Sequence, residues 1–303
     1  MKVIIKPLEE YRLGLRQSSG IIIENVDVVS AFLSPTTILG IIGKLKNVSP
    51  LKKPGIDDLK DAYYSLTQNE LKYVYHSDSP LTWGPLIRDE MDKKYYPLLF
   101  SKLILDVKKY IEYAINSFEG IITESIIREL RVQTRRMNQL NRSNRTTIHS
   151  FYQKFFSNEY ALEYCVNIKE NIKGVSMLGG ENRYAEVCPE NCECDYGEGD
   201  YAILLQPLLF ETEETYFTKL SNVKGFQCVD EIYGVVVEKG NHMDFKVKTT
   251  YYALGYGNER RPMLRALPPG TVIKVKEECE DAKALGILSE LGFGAIYRIR
   301  LQS

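Results

Sequence analysis

Ser34-Pro35-Thr36-Thr37-Ile38-Leu39-Gly40-Ile41-Ile42-Gly43-Lys44-Leu45 is the stretch whose reading decides the fold. Its glycines and lysine invite comparison with a phosphate loop. That motif needs four residues between its glycines, a Ser or Thr after the lysine, and a strand feeding the loop. Here Ile41 and Ile42 alone separate the glycines, Leu45 follows Lys44, and a helix is already under way. An NTPase is therefore disfavoured. Ser34 suits an N-cap and Pro35 the first helical position, so the stretch reads as a short helix whose glycines permit close packing on a sheet. The amides at 34–37 can still receive a phosphate, since a helix N-terminus favours anions.

Working outward, residues 2–6 alternate around β-branched positions and read as a strand ended by Pro7, and a second apolar run covers 21–29. The region 56–118 reads as a mainly helical insertion, with apolar residues at i, i+3 and i+4 over 99–118. Strand patterns follow at 160–168 and 184–187, then at 201–210, 225–238, 243–254 and 271–277. A short helix at 280–291 precedes a last strand at 295–301. Strands with few helices, in two halves that each open on a strand and close on a glycine-rich turn, predict an α+β protein of two domains on antiparallel sheets. The 303-residue length suits two such domains. We place them at 1–195, with the insertion at about 50–125, and 196–303.

Hydrophobic residues make up 44% and charged residues 26%, an ordinary globular mixture. No stretch has signal-peptide or membrane-span length, which predicts a cytoplasmic protein with no membrane partner. Six cysteines are too few for a disulfide scaffold and are expected to be reduced in a cytosol, hyperthermophiles excepted. Cys188, Cys192 and Cys194 could give zinc three thiolates, with Cys165, Cys228 or a histidine as fourth ligand. The spacing is not that of paired knuckles, and a loop disulfide or plain surface cysteines together outweigh metal. No cofactor is expected.

Net charge is −1, so nucleic-acid binding would need a local patch. One exists. Residues 128–145 carry six arginines (Arg128, Arg131, Arg135, Arg136, Arg142 and Arg145) against a single acid, Glu129. The patch begins as a helix or strand and runs into a polar tract, 138–147, read as a loop. Asn138, Gln139, Asn141 and Asn144 are interleaved, with Phe151 and Tyr152 just after, which supplies phosphate pairing, base-edge amides and stacking rings. A solvated helix face is the alternative, but such faces mix charge signs. The chain's histidines, His76, His149 and His242, sit in no hydrolase or metalloprotease motif. His149 alone follows the arginines, where it could bind phosphate or act as a general acid. Gly179 and Gly180 with Arg183, and Gly292 with Gly294, form turns that let a backbone approach RNA closely. Arg260, Arg261 and Arg265 precede a stiff Pro-Pro-Gly turn.

In this order, the strand ending at Pro7-Leu8, the segment 34–40, Leu178-Gly179-Gly180-Glu181-Asn182-Arg183, Arg265-Ala266-Leu267-Pro268-Pro269-Gly270-Thr271-Val272 and Leu291-Gly292-Phe293-Gly294 resemble the RAMP proteins of CRISPR effector complexes. The likeness is greatest to the third subunit of the type III-B Cmr complex. Asn182 stands where that family favours a basic residue. The resemblance implies two ferredoxin-like (RRM-like) domains and no enzymatic activity. It also implies a role in antiviral defence, holding the 5′ handle of the crRNA and bridging the large polymerase-like subunit to the backbone RAMP subunits, with target RNA touched only indirectly. Under it, Ser34, Thr36, Thr37, Gly40, Lys44, the arginine-rich segment and the glycine loops approach the handle. The rival expectation is a metal-independent RAMP endoribonuclease that processes CRISPR precursor RNA.

Overall fold

The computed structural model describes the chain except residues 14–28, 49–55, 90–93, 117–121, 141–142, 145, 170, 180–182, 213–218, 240–241, 255–262 and 302–303. Three α-helices are described: α1 (Pro35–Leu45), α2 (Asp57–Thr67) and α3 (Val107–Ile115). The strands of the first half are β1 (Lys2–Pro7), β2 (His76–Ser77), β3 (Thr82–Asp89), β4 (Lys94–Pro97), β5 (Lys102–Ile104), β6 (Ile127–Glu129), β7 (Val132–Leu140), β8 (Thr147–Phe156), β9 (Tyr160–Val166), β10 (Gly174–Met177) and β11 (Tyr184–Glu190). Those of the second are β12 (Tyr201–Leu204), β13 (Leu208–Phe210), β14 (Val229–Lys239), β15 (His242–Lys246), β16 (Thr250–Ala253), β17 (Met263–Leu267), β18 (Val272–Val275), β19 (Ala284–Leu285) and β20 (Ile296–Ile299).

Two antiparallel sheets dominate, in the orders β10-β11-β1-β9-β3-β4 and β15-β14-β18-β12-β20. Each contains four strands arranged fourth, first, third, second in chain order: β11-β1-β9-β3 and β20-β12-β18-β14. The alternation read in residues 2–6 is explained by the neighbours of β1, which pairs with β11 on one side and β9 on the other. Val3 and Ile5 face a core shared with Ile38, Ile41 and Ile42 of α1.

Ser34 caps α1, its hydroxyl accepting from Thr37 N at 3.3 Å, and Pro35 sits in the first turn as expected. The glycines have a different role from the one expected. Gly43 lies close to Val48 O, but among the described residues a Cβ on Gly40 would meet nothing within 4 Å. Close packing therefore does not account for Gly40.

The region 56–118 is not mainly helical: α2 and α3 flank the strands β2 to β5. Its apolar period is real in α3, which buries Tyr110, Ile111 and Ala114, but the intervening residues find sheet partners that local periodicity does not reveal. No α-helix forms at 280–291, where Gly286 and Leu288 hold positive φ and the chain makes short 3-10 turns around β19. Residues 201–210 form two strands rather than one, broken before Pro207, and residues 138–140 belong to β7 rather than to a loop. The apolar run at 21–29 falls almost wholly outside the described residues.

The halves interlock. On the second sheet Ala202 and Leu204 face one core with Ile273 and Ile296, while Ile203 and Val272 face α3 on the other side. The helix covering the second sheet thus comes from the first half of the chain, and the Tyr110 hydroxyl donates to Gly270 O at 2.9 Å. Trp83, 1% exposed, donates from Nε1 to Ile296 O at 2.8 Å, and Thr82 Oγ1 donates to Leu291 O at 2.7 Å. Gln206 Nε2 donates to Leu33 O and Gly84 O, both at 2.9 Å.

Inside the first sheet Lys2 and Glu163 form a buried ion pair at 2.9 Å. Burial raises the Glu163 carboxyl above its ordinary range, against the pull of Lys2. Removing the cation leaves a desolvated carboxylate. We therefore expect Lys2→Met to lower stability by about 3 kcal/mol in denaturant titrations at neutral pH, and Lys2→Met/Glu163→Leu to recover most of it. Because the folded carboxyl titrates above the unfolded one, the native state of Lys2→Met binds the proton more readily. Its deficit should be full above the folded value and shrink as pH falls through it.

Candidate nucleic-acid interface

The sequence-predicted residues fall into two groups, one on α1 and the seam between the halves, the other at the root of the β7–β8 hairpin. On α1, Thr36, Gly40 and Lys44 are spaced four apart, so they form one stripe along the helix. Thr36 and Thr37 are half-buried, while Gly40 and Lys44 are exposed. Ser34, Thr36 and Thr37 share a hydroxyl cluster at 2.9–3.0 Å at the amide end of the helix. Tyr252 of β16 reaches Ser34 with its hydroxyl and packs edge-on against Phe293, ring centroids 5.6 Å apart. Segments from residues 34, 252 and 293 therefore meet where α1 begins.

Gly292 and Gly294 lie inside this seam rather than on its surface. A Cβ on Gly292 would stand 2.0 Å from Thr82 O, and one on Gly294 1.8 Å from Leu285 O. Both hold φ in the left-handed region, at 109° and 64°. The close approach at these two glycines is that of the protein's own backbone.

At the hairpin root, Tyr11 pairs with Phe156 in backbone hydrogen bonds of 2.8 and 3.1 Å. Two arginines distant in sequence, Arg135 and Arg183, stand over the buried Phe155 ring at 5.4 and 5.6 Å. Arg135 pairs with Glu10 and Arg183 with Glu9. Gly179, at φ 72°, packs on the backbone of Arg12, so this glycine is held against the same segment.

The uniform sign of the 128–145 run does not survive folding. Arg128 pairs with Asp89 at 3.2 Å and Arg131 with Glu159 at 2.9 Å, while Glu10 takes Arg135. The missing acids come from β3, from the turn before β9 and from the segment after β1, a fact invisible in a linear charge count. Arg136 is exposed on β7. Arg265 lies on β17, its guanidinium 5.9 Å from the exposed Tyr251 ring. Asn138 and His149 lie in β7 and β8, but their side chains fall outside the described ones, and Arg142, Arg145, Gly180, Arg260 and Arg261 fall outside the described residues.

The three-thiolate zinc reading fails. Cys194 is disulfide-bonded to Cys165, and a second disulfide joins Cys228 to Cys279, so the cysteines are not all reduced. Cys188 is half-buried, and burial and then Glu186 raise its thiol above the usual range, which disfavours the thiolate a metal needs. Cys192 contacts Glu190 at 3.5 Å.

Among features not anticipated, the sheet edge at β10 exposes Val175 and Met177 on one face. Tyr184 lies directly across from Met177, and Leu8 hydrogen-bonds to it at 3.0 Å; both are exposed. Among the described residues β10 is an edge strand, and apolar side chains exposed on such an edge are a common feature of contact surfaces. Alternation in 174–177 was the available signal.

The fold class is α+β, with antiparallel sheets. No family model and no curated protein matches the chain. The fold is shared with a chain in the cryo-EM structure of type III-B Cmr-beta bound to cognate target RNA and AMPPnP, at TM-score 0.59 and 16% identity over 90% of this chain and 86% of that one. A chain in Cmr-beta bound to cognate target RNA gives TM-score 0.57 and 18% identity over the same shares.

The glycines make opposite predictions. Gly40→Ala should stabilise the isolated chain by about 1 kcal/mol, because an exposed helical glycine costs about that much relative to alanine. Gly292→Ala should lower stability by more than about 1 kcal/mol, since both the positive φ and the Thr82 carbonyl oppose a side chain. Thermal or denaturant unfolding of the two variants separates packing glycines from the other kind.

Proposed function

We propose that the chain is a non-catalytic, RNA-binding RAMP subunit of a type III CRISPR effector ribonucleoprotein, equivalent to the third Cmr subunit. In this reading it holds the 5′ handle of the crRNA and joins the large polymerase-like subunit to the backbone RAMP subunits. The observation that carries this is the shared fold over nine-tenths of the chain with chains of Cmr-beta bound to target RNA. The repeated fourth-first-third-second strand order supports two ferredoxin-like domains in this reading, with β10 where the second helix of the first is expected and α3 lent to the second.

The α1 stripe supports RNA contact. Its amide end favours phosphate, and Gly40, which no internal packing requires, leaves room for a sugar-phosphate backbone to lie against the helix. Lys44 adds a cation one turn on. Arg135 and Arg183, both over the Phe155 ring and each paired with an acid, Glu10 and Glu9, bring two guanidiniums to one place. Handle phosphates then lie on α1 while bases are read elsewhere. The apolar edge at β10 is the surface offered to a protein subunit.

The test is ultraviolet crosslinking and binding titration of RNA in the reconstituted ribonucleoprotein. Gly40→Gln should weaken handle binding at least tenfold while the chain stays folded, and Lys44→Ala should reduce the slope of log affinity against log salt by about 0.7, the value for one phosphate on single-stranded RNA. If both variants bind as wild type, RNA contact by α1 is wrong and a protein adaptor takes its place. Separately, Val175→Lys/Met177→Asp should leave the melting temperature of the free chain near wild type but prevent its entry into the assembly, read by co-purification.

A further inference from the structure

We propose that Cys228, Cys279 and His76 form a redox-gated transition-metal site, closed by the Cys228–Cys279 disulfide and opened, for zinc as the best-suited ion, when that bond is reduced. The two Sγ atoms and a ring nitrogen of His76 all lie within 4.8 Å of one another. This is the one such ligand group among the described residues, and it is distinct from the Cys188–Cys194 loop.

The three ligands come from separate parts of the chain, and each backbone is fixed without metal. Lys276 N donates to Cys228 O at 3.0 Å, tying the residue before β14 to the end of β18. Cys279 sits in a 3-10 turn whose carbonyl accepts from Arg298 Nη2 at 2.6 Å, while the same guanidinium holds Ala282 O and Gly199 O. His76 lies on β2, opposite Leu285 of β19, and Tyr75 O accepts from Gly286 N at 2.8 Å while Ser77 O accepts from Lys283 N at 2.9 Å. The sulfurs are buried, at 2% and 7% residue exposure, and the exposed imidazole covers them from the solvent side. Two thiolates and an imidazole suit zinc rather than the oxygen-seeking calcium or magnesium, and the open side leaves a fourth position for water or a partner's side chain.

The chemistry balances with an external dithiol as reductant. Two electrons and two protons from the dithiol break the S–S bond and give two protein thiols, while the dithiol closes to its own disulfide. Zinc(II) then displaces both thiol protons to solvent, and neutral His76 supplies the third ligand. In the oxidised state a covalent bond braces Cys228 to Cys279, within the second half. In the reduced, metal-loaded state the brace gains a third arm to β2, in the region between α2 and β3, and so crosses between the halves of the chain.

The experiment takes the full chain, reduces it with a dithiol, removes the reductant without oxygen, and offers zinc alone. Bound metal is counted by mass spectrometry and free thiols by titration, and cobalt(II) in parallel reports thiolate ligation through its charge-transfer absorption. Expected are a single zinc on the reduced chain, none on the oxidised chain, retention in Cys188→Ser/Cys192→Ser, and loss in His76→Ala, whose exposed position leaves folding intact. Zinc should also raise the melting temperature of the reduced wild type but not of His76→Ala. Absence of zinc from the reduced wild type, equal binding by His76→Ala, or loss in the Cys188/Cys192 variant overturns the proposal.

Discussion

The structure depends on the seam where the start of β3 meets the chain between 290 and 296. Leu81 N, the Thr82 hydroxyl and the Trp83 indole donate in succession to Glu290 O, Leu291 O and Ile296 O. Gly292 sits so close to Thr82 that a side chain is excluded. Buried polar donors in a tight interface are costly to leave unmade, so this ladder fixes one relative placement of the two sheets rather than a range. Glu290 extends it by accepting from the backbone of Lys72 and Tyr73, at 3.1 and 2.8 Å.

From that placement the rest follows. Because the sheets are locked, α1 of the first half can bury Leu39 in a cluster with Leu209, Leu288 and Phe293 of the second, and α3 can cover a sheet to which it does not belong in sequence. The amide end of α1 then meets Tyr252 and the Phe293 turn, while its Thr36–Gly40–Lys44 stripe stays open. The surface we assign to RNA is thus composite, and its geometry rests on hydrogen bonds between segments two hundred residues apart in the chain.

This explains what the sequence could and could not reveal. The capped helix at 35–45, the strand at 2–7, most later strands and the α+β class were legible because caps, proline and two-residue alternation are local signals. The β2–β5 region reads as helical because α2 and α3 bracket it and because β2, β3 and β5 take partners, β19, β9 and β6, from outside it. The arginine run was read as unbalanced because Asp89, Glu10 and Glu159 approach it only in three dimensions. Gly292 and Gly294 are expected to bring a backbone close to RNA, and no local signal reveals that the protein's own Thr82 and Leu285 carbonyls already stand against them. Gly40 is the converse case, a glycine assigned to packing that packing does not need.

The central claim is that α1, placed by the seam, and the arginines at the hairpin root contact RNA. The most direct measurement is a cryo-EM structure of the native ribonucleoprotein containing this chain. The account predicts RNA phosphates against the amides at 34–37 and the Gly40–Lys44 stripe, with Arg135 and Arg183 on the same side and a protein subunit on the β10 edge. Density for protein over α1, with RNA absent from that face, would contradict it.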